Sequence, residues 1–315
     1  MTSASAVPAA TPRDSAEQSR IAAFMHGFSV EATRPTAAEV EALRQAAPAG
    51  TLVYVSAVSG RPPHECVGAA VALRGAGFEP VPHIAVRNFA GVEALDDILA
   101  RLANEAGVRR VLVIGGDRDQ PAGCFHAAVE AIDSGLLGRR GIEEIGIAGY
   151  PQGHPRLPEL ALDRTLAAKI DAAEQTGLAI HIVTQFCFAP EPVLRWLSRL
   201  RDLGIDLPVR IGLAGPTSLA ALFRYARRCG VQASAQGLTR QTGIARHLFG
   251  MAAPDTVIRP LANACAGGAL GDVALHLFAF GGAAATARWA AAAAAGRIAI
   301  ETSEGFRVEA ASTVG

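Results

Sequence analysis

The sequence is poor in lysine, in aromatic residues and in net charge. Its 29 basic residues are 28 arginines and one lysine, Lys169, and 29 acidic residues balance them. A net charge of zero leaves no basic footprint to neutralise a phosphate backbone, so a general nucleic-acid binder is excluded. No charge-free apolar run reaches the ~18 residues of a membrane span. The five cysteines (Cys66, Cys124, Cys187, Cys229, Cys265) are odd in number and form no C-x-x-C pair, which argues against a zinc site or a disulfide framework. Reduced, buried thiols are expected. A G-x-G-x-x-G turn is missing from Phe24–Thr36, where an open dinucleotide-binding sheet would carry it. No close cluster of His, Asp and Glu suggests a resident metal. Residues 1–20 lack both the apolar core of a secretory signal and the pattern of a transit peptide, and read as a floppy tail on a cytoplasmic protein.

What remains is apolar and regular. Half of the 315 residues are hydrophobic and only 18% are charged, enough to build a large core. Short apolar runs alternate with Ala/Leu/Arg-rich helical patterns. The predicted strands are Phe24–Glu31, Thr51–Ala57, Glu79–Ala85, Arg109–Gly115, Glu144–Gly149, Ala179–Phe188, Val209–Leu213 and Val273–Phe280. Eight such units predict a closed (β/α)₈ TIM barrel over residues 21–315 as a single domain. The long segment Gly230–Asp272 predicts extra helices between strands 7 and 8, and Ala283–Ala294 a closing helix.

In such a barrel the chemistry sits where strands end and βα loops begin. The predicted strands deliver Glu31, Ser56, His83, Gly115-Gly116-Asp117, Tyr150 to Pro155, and Thr184-Gln185-Phe186 to that one rim. Each has a plain structural alternative. Glu31 could cap a helix before Pro35, or sit at an apolar mouth with a raised pKa suited to proton donation. His83 could be a satisfied core histidine. Asp117 could close a turn, although a turn alone does not require two glycines before it. Gln185 in an apolar strand must meet a polar network or read a heteroatom. Lys169 is either an accident of composition or a position that needs a compact ammonium.

Taken in order, Phe28-Ser-Val-Glu31, Pro82-His83, Gly116-Asp117, Gly149-Tyr-Pro-Gln-Gly-His-Pro155 and Val183-Thr-Gln-Phe-Cys-Phe188 resemble the 5,10-methylenetetrahydrofolate reductases. The resemblance runs from about Phe24 to Phe280. It implies a barrel holding FAD, which takes a hydride from NADH or NADPH and passes it to methylenetetrahydrofolate. It implies that Glu31 is the general acid and that Asp117 stands beside flavin and pterin. Gln185 and Phe186 would contact the folate. Ser56, His83, Gly115, Gly116, Asp117, Tyr150, His154 and Lys169 would hold the flavin. A homo-oligomer is expected on the same ground.

The sequence also departs from that family. Gly115 stands where Arg is usual, with Arg87 or Arg118 as possible substitutes. Ala32-Thr33-Arg34-Pro35 replaces Phe-Phe-Pro-Pro, Ala189 replaces Asp, and Phe280-Gly281-Gly282 replaces Leu-Asn-Arg. The interval from Lys169 to Gln185 is about five residues longer than the resemblance leads one to expect. Two other readings therefore stay open. One is a flavin-free reductase with direct hydride transfer from nicotinamide. The other is a non-catalytic folate- or flavin-binding partner of a methyltransferase system.

Overall fold

The computed structural model describes residues 12–58, 60–228, 251–301 and 305–309. Eight parallel strands close a barrel: β1 (Ser29–Ala32), β2 (Leu52–Val55), β3 (Glu79–Ala85), β4 (Arg110–Ile114), β5 (Glu144–Gly149), β6 (Ala179–Thr184), β7 (Val209–Ala214) and β8 (Val273–Phe278). They follow one another around the ring, and β8 pairs back onto β1 through Ser29↔His276 and Val30↔Leu277. The predicted (β/α)₈ architecture is the observed one.

The helices are α1 (Pro12–Met25), α2 (Ala37–Arg44), α3 (Glu65–Gly75), α4 (Val92–Ala106), α5 (Ala128–Asp133), α6 (Leu136–Arg139), α7 (Glu159–Gln175), α8 (Pro190–Asp202), α9 (Leu219–Arg228), α10 (Asp255–Cys265) and α11 (Ala283–Ala294). Several begin as their sequences dictate. Thr36 and Glu39 form a capping box at α2, and Pro190 opens α8 without losing a needed donor. Between β7 and β8 the described residues contain α9 and α10, in line with the predicted insertion. Residues 229–250, including Cys229, lie outside the described residues.

Two expectations are corrected. The tail read over residues 1–20 overlaps helix α1, Pro12–Met25; residues 1–11 lie outside the described residues. Its polar face hid a buried ion pair: Glu17 takes Arg259 Nε and Nη2 at 2.9 and 2.8 Å and Asn263 Nδ2 at 2.8 Å. The first strand likewise starts at Ser29, since Phe24 and Met25 belong to α1 and face the core from it.

Strand alternation divides the interior in two. One face of each strand carries Val, Ile and Leu outward: Val30, Val53, Val55, Ile84, Val111, Val113, Ile145, Ile147, Ile182, Ile211, Leu213, Leu275 and Leu277 join a single apolar core with the helices. The other face points into the barrel, where the apolar set is small: Tyr54, Val81, Leu112 and Val183. TIM-barrel interiors are ordinarily filled by layers of branched aliphatic side chains. Here several inward positions are polar instead: Ser29, Glu31, His83, Glu144, His181 and His276.

Candidate active site

Glu31 and Ser29 share the inward face of β1, two residues apart. The hydroxyl of Ser56, at the end of β2, donates to Glu31 Oε1, and Thr33 Oγ1 stands 3.0 Å from Ser56 Oγ. Thr33, a departure from the family pattern, thus extends the hydrogen-bond chain around the acid. Across the β1–β8 seam, His276 Nε2 is 3.6 Å from Glu31 Oε2. Both atoms are buried and have no hydrogen-bond partner.

The tautomer of His276 follows from its other nitrogen. Ser29 Oγ donates to Leu275 O at 3.2 Å, so it accepts from His276 Nδ1–H at 3.0 Å. With the proton on Nδ1, Nε2 presents a lone pair to the carboxylate. Two acceptors in face-to-face contact in a buried site call for one proton between them. Glu31 Oε2 and His276 Nε2 therefore bracket a position that a single proton would fill.

The electrostatics correct the expectation of a raised Glu31 pKa. Burial does push the carboxyl up, but His276, His83 and Ser56 together outweigh it and hold the group below its ordinary range. His276 is in turn pushed down by burial, against the pull of Glu31. His83, on β3, is pushed down to about 4 by burial and stays neutral near pH 7.

The polar side of the rim is built by β2 to β5 and their loops. A small pocket over β2 and β3 is lined by Ser56, His83 and Asn88 among others, and His83 Nε2 and Asn88 Oδ1 are buried without partners. Gly116 has φ +90°, and a Cβ there would stand 3.0 Å from Ala85 Cβ, so only glycine lets the β4 loop pass so close to β3. Arg87, not Arg118, lies against the open position at Gly115, its Nε 3.9 Å from where a Cβ would stand. Its guanidinium is spent on loop carbonyls, at 2.7 Å from His126 O and 3.2 Å from Arg118 O. Beyond β5 a cleft of about 660 Å³ is bordered by Tyr150, Gln152, His154, Gln185, Arg195 and Trp196. Tyr150 and His154 pack edge to edge at 5.1 Å. Burial, and then the neighbouring Asp117, push the Tyr150 phenol up.

Not every expected residue reaches this surface. Lys169 is buried on α7, behind Ala148 and Leu166 of the cleft wall, and donates a hydrogen bond to Ala148 O at 3.2 Å. Burial pushes its pKa down to about 8. Phe186 is also buried, in an aromatic cluster with Phe188, Phe278 and Phe280 at centroid distances of 5.1–5.5 Å. Tyr225 of α9 stacks on Phe280 at 4.0 Å and 8°. This aromatic side covers β6 to β8.

The strand-end survey missed Ser29, Tyr54, Asn88, Glu144, His181 and His276. The signal for most of them was alternation within the strands: polar groups at period two, between aliphatic neighbours, are inward-facing in a parallel barrel. Among the described residues, no group of three or more His, Cys, Asp or Glu side chains is placed to hold a metal ion.

The residues present do fit a large, polar, anionic cofactor. Two orphaned polar atoms (His83 Nε2, Asn88 Oδ1) face the rim pocket, a cleft opens beside Tyr150 and His154, and a buried ammonium held by Ala148 O stands behind its wall.

A (β/α)₈ barrel with a buried carboxyl–imidazole pair at its mouth is the class of protein that the fold and the site define. Residues 30–245 match the family model described as methylenetetrahydrofolate reductase, and the chain belongs to that family. It is 31% identical over 162 residues to methylenetetrahydrofolate reductase 2 of Saccharomyces cerevisiae, covering 48% of this chain and 26% of that protein. It is 27% identical over 155 residues to the 5,10-methylenetetrahydrofolate reductase of Escherichia coli, covering 48% of each. The aligned stretch thus spans half or less of these relatives. The fold is also that of a Clostridium thermocellum protein described as binding two copies of 5-methyl-5,6,7,8-tetrahydrofolic acid. That likeness has a TM-score of 0.54 at 9% identity, over 83% of this chain and 93% of that one.

Proposed function

We propose that the protein is a flavin-dependent reductase interconverting 5,10-methylenetetrahydrofolate and 5-methyltetrahydrofolate with NADH or NADPH. The observation that carries this reading is the Glu31–His276 proton site, set at the rim of a chain that belongs to the reductase family. FAD, when bound, supplies the hydride relay between nicotinamide and folate. Ser56, His83, Gly115, Gly116, Asp117, Tyr150 and His154 would hold it at the polar side of the rim, with Lys169 lending charge from behind the wall.

The chain's own residues handle the proton. Opening the five-membered ring of methylenetetrahydrofolate to an electrophilic iminium needs a proton on the departing nitrogen. Glu31 delivers it from Oε2, the oxygen that faces His276, while Ser56 holds Oε1. Glu31, ionised at rest, must first take up that proton, and His276 Nε2, a lone-pair acceptor 3.6 Å away, is placed to exchange it with the carboxyl. Gln185 and Asp117 would read the polar edge of the pterin. Phe186, which borders the same cleft from the aromatic cluster, would pack against the folate.

A second reading, direct transfer from nicotinamide to folate without flavin, is favoured by one observation: the Arg87 guanidinium beside Gly115 is committed to the His126 and Arg118 carbonyls. The deciding measurement is the visible spectrum of the purified protein with and without added FAD, followed by anaerobic NADH. Flavin bands that bleach with NADH and recover with methylenetetrahydrofolate support the flavin reading. A colourless protein that takes up no FAD yet oxidises NADH against the folate supports direct transfer. One that does neither overturns both.

A further inference from the structure

Beneath the Glu31–His276 pair the barrel holds a second polar line that the reaction above does not use. Tyr54, on β2, is fully buried, and its hydroxyl lies 2.8 Å from His181 Nε2 of β6. His181 Nδ1 contacts Glu144 Oε1 at 2.7 Å, and Glu144 also pairs with Arg110 at the lower end of β4 and β5. The Tyr54 ring stands edge-on to three imidazoles: His276 at 4.5 Å, His83 at 6.1 Å and His181 at 6.3 Å. The neighbouring strand is hollowed to admit this arrangement. A Cβ on Gly146 of β5 would come within 2.8 Å of His181 Nε2 and 3.0 Å of Leu112 Cδ1.

Such a line is costly. A buried hydroxyl and imidazole lose their hydration, and aliphatic side chains would fill the same volume without that loss. The contact that gives the line a use is its upper end, where the Tyr54 ring braces the imidazole of the proton-sharing pair.

We propose that Tyr54, anchored through its hydroxyl by His181 and Glu144, is a positioning residue for the Glu31–His276 pair. It holds the His276 ring with Nδ1 on Ser29 and Nε2 toward Glu31, and so fixes which nitrogen meets the acid and over what pH range the pair keeps its proton. The catalytic use of that pair rests on the reductase reading; the bracing itself does not. The ionisable and polar groups facing His276 come from around the ring: Ser29 and Glu31 on β1, Tyr54 on β2, His83 on β3, His181 on β6 and Arg210 on β7. Glu144 of β5 and Arg110 of β4 act on Tyr54 from below. His181 and Arg210 both disfavour a charged His276 while Glu31 favours it, so freeing His181 must disturb the balance.

The test is Tyr54→Phe in the full chain, with the imidazole nitrogens of histidine labelled and His276 assigned by comparison with His276→Asn. NMR titration then reads the tautomer and midpoint of His276 without substrate or cofactor. Wild type should show the single Nδ1–H tautomer. Tyr54→Phe should show a mixture, with the midpoint displaced by about one pH unit. His181→Asn, too short to reach Tyr54, should give the same signature. If either variant fails to fold, the other carries the test. In turnover, both should lower kcat about tenfold for the folate half-reaction while leaving the KM for nicotinamide unchanged. An unchanged His276 tautomer and midpoint in a folded Tyr54→Phe or His181→Asn protein would overturn the proposal, even if the melting temperature fell. An NMR shift in a protein without reductase activity would leave the bracing intact and remove only the reductase reading.

Discussion

The two faces of the barrel strands obey different rules. Outward, Val, Ile and Leu pack against the helices in one continuous apolar layer. Inward, Ser29, Glu31, Tyr54, His83, Glu144, His181 and His276 replace part of the usual aliphatic filling, and Val81, Leu112 and Val183, with Leu52 and Ile114 at their margin, accompany Tyr54 as a small apolar set. The outer layer needs only volume and hydrophobicity, and it supplies most of the favourable burial. The inner face needs specific partners for each buried polar atom. Stability and chemistry are therefore written on alternate residues of the same strands. Among the buried polar atoms without partners, Glu31 Oε2, His83 Nε2 and His276 Nε2 sit on the inner face near the rim, where a ligand can meet them, whereas Arg201 Nη2, Thr256 Oγ1 and Thr286 Oγ1 lie on the outer helices.

The sharpest way to separate the two faces is to change one atom of the inner one. Glu31→Gln should leave FAD binding and reduction by NAD(P)H intact while folate reduction falls roughly 10²- to 10⁴-fold. Stopped-flow measurement of the two half-reactions checks this, and full folate turnover in the variant would remove Glu31 from the mechanism. The matching change in the outer layer is Leu99→Ala on α4, a fully buried position. It should cost about 2–5 kcal/mol in urea denaturation and leave the pH profile of turnover in place. A shifted profile would mean that the two faces are not independent.

Lys169 breaks the pattern, because it is an ammonium in the outer layer. Its folded pKa of about 8 lies below the ordinary 10.5, so the folded state binds the proton less tightly than the unfolded chain. The resulting destabilisation is complete below about pH 8 and is relieved as the pH rises toward 10.5. Lys169→Met should therefore raise the melting temperature at pH 7 while weakening FAD retention, measured by equilibrium dialysis. A more stable variant with unchanged FAD affinity would make the lysine an accident of composition.

The smallest effect is expected at the edge of the outer layer. Glu17 is held at about 2, chiefly by its hydrogen bond from Arg259, against an ordinary 4.5. Its stabilisation is full above about pH 4.5 and is lost as the pH falls toward 2. Glu17→Gln should lower the melting temperature by a few degrees at neutral pH, and the curves of variant and wild type should converge in acid. A constant gap down to pH 2 would mean that the Glu17 charge is not what ties α1 to α10.

Much of the architecture was legible because it depends on local periodicity. Eight apolar runs with helices between them specify the barrel, and the order of the motifs specified the family. The ends of β1 to β6 also pointed to the rim residues Glu31, Ser56, His83, Asp117, Tyr150 and His154. What escaped was whatever depended on a neighbour distant in sequence. Pro12–Arg20 reads as a polar tail until Arg259 and Asn263, more than 240 residues away, pair with Glu17. Lys169 reads as a surface ligand until the packing of α7 turns it onto Ala148. Glu31 reads as a carboxyl of raised pKa until β8 brings His276 beside it.

The sequence by itself determined the strand and helix pattern, the barrel and the residues offered to its mouth, because periodicity and turn chemistry act over a few residues. The tertiary structure alone decided which of those groups share a proton, which are spent on backbone carbonyls and which are braced from below. Closure of the barrel sets β1 beside β8 and β2 across from β6, and pKa, tautomer and hydrogen-bond partner follow from distances across that ring.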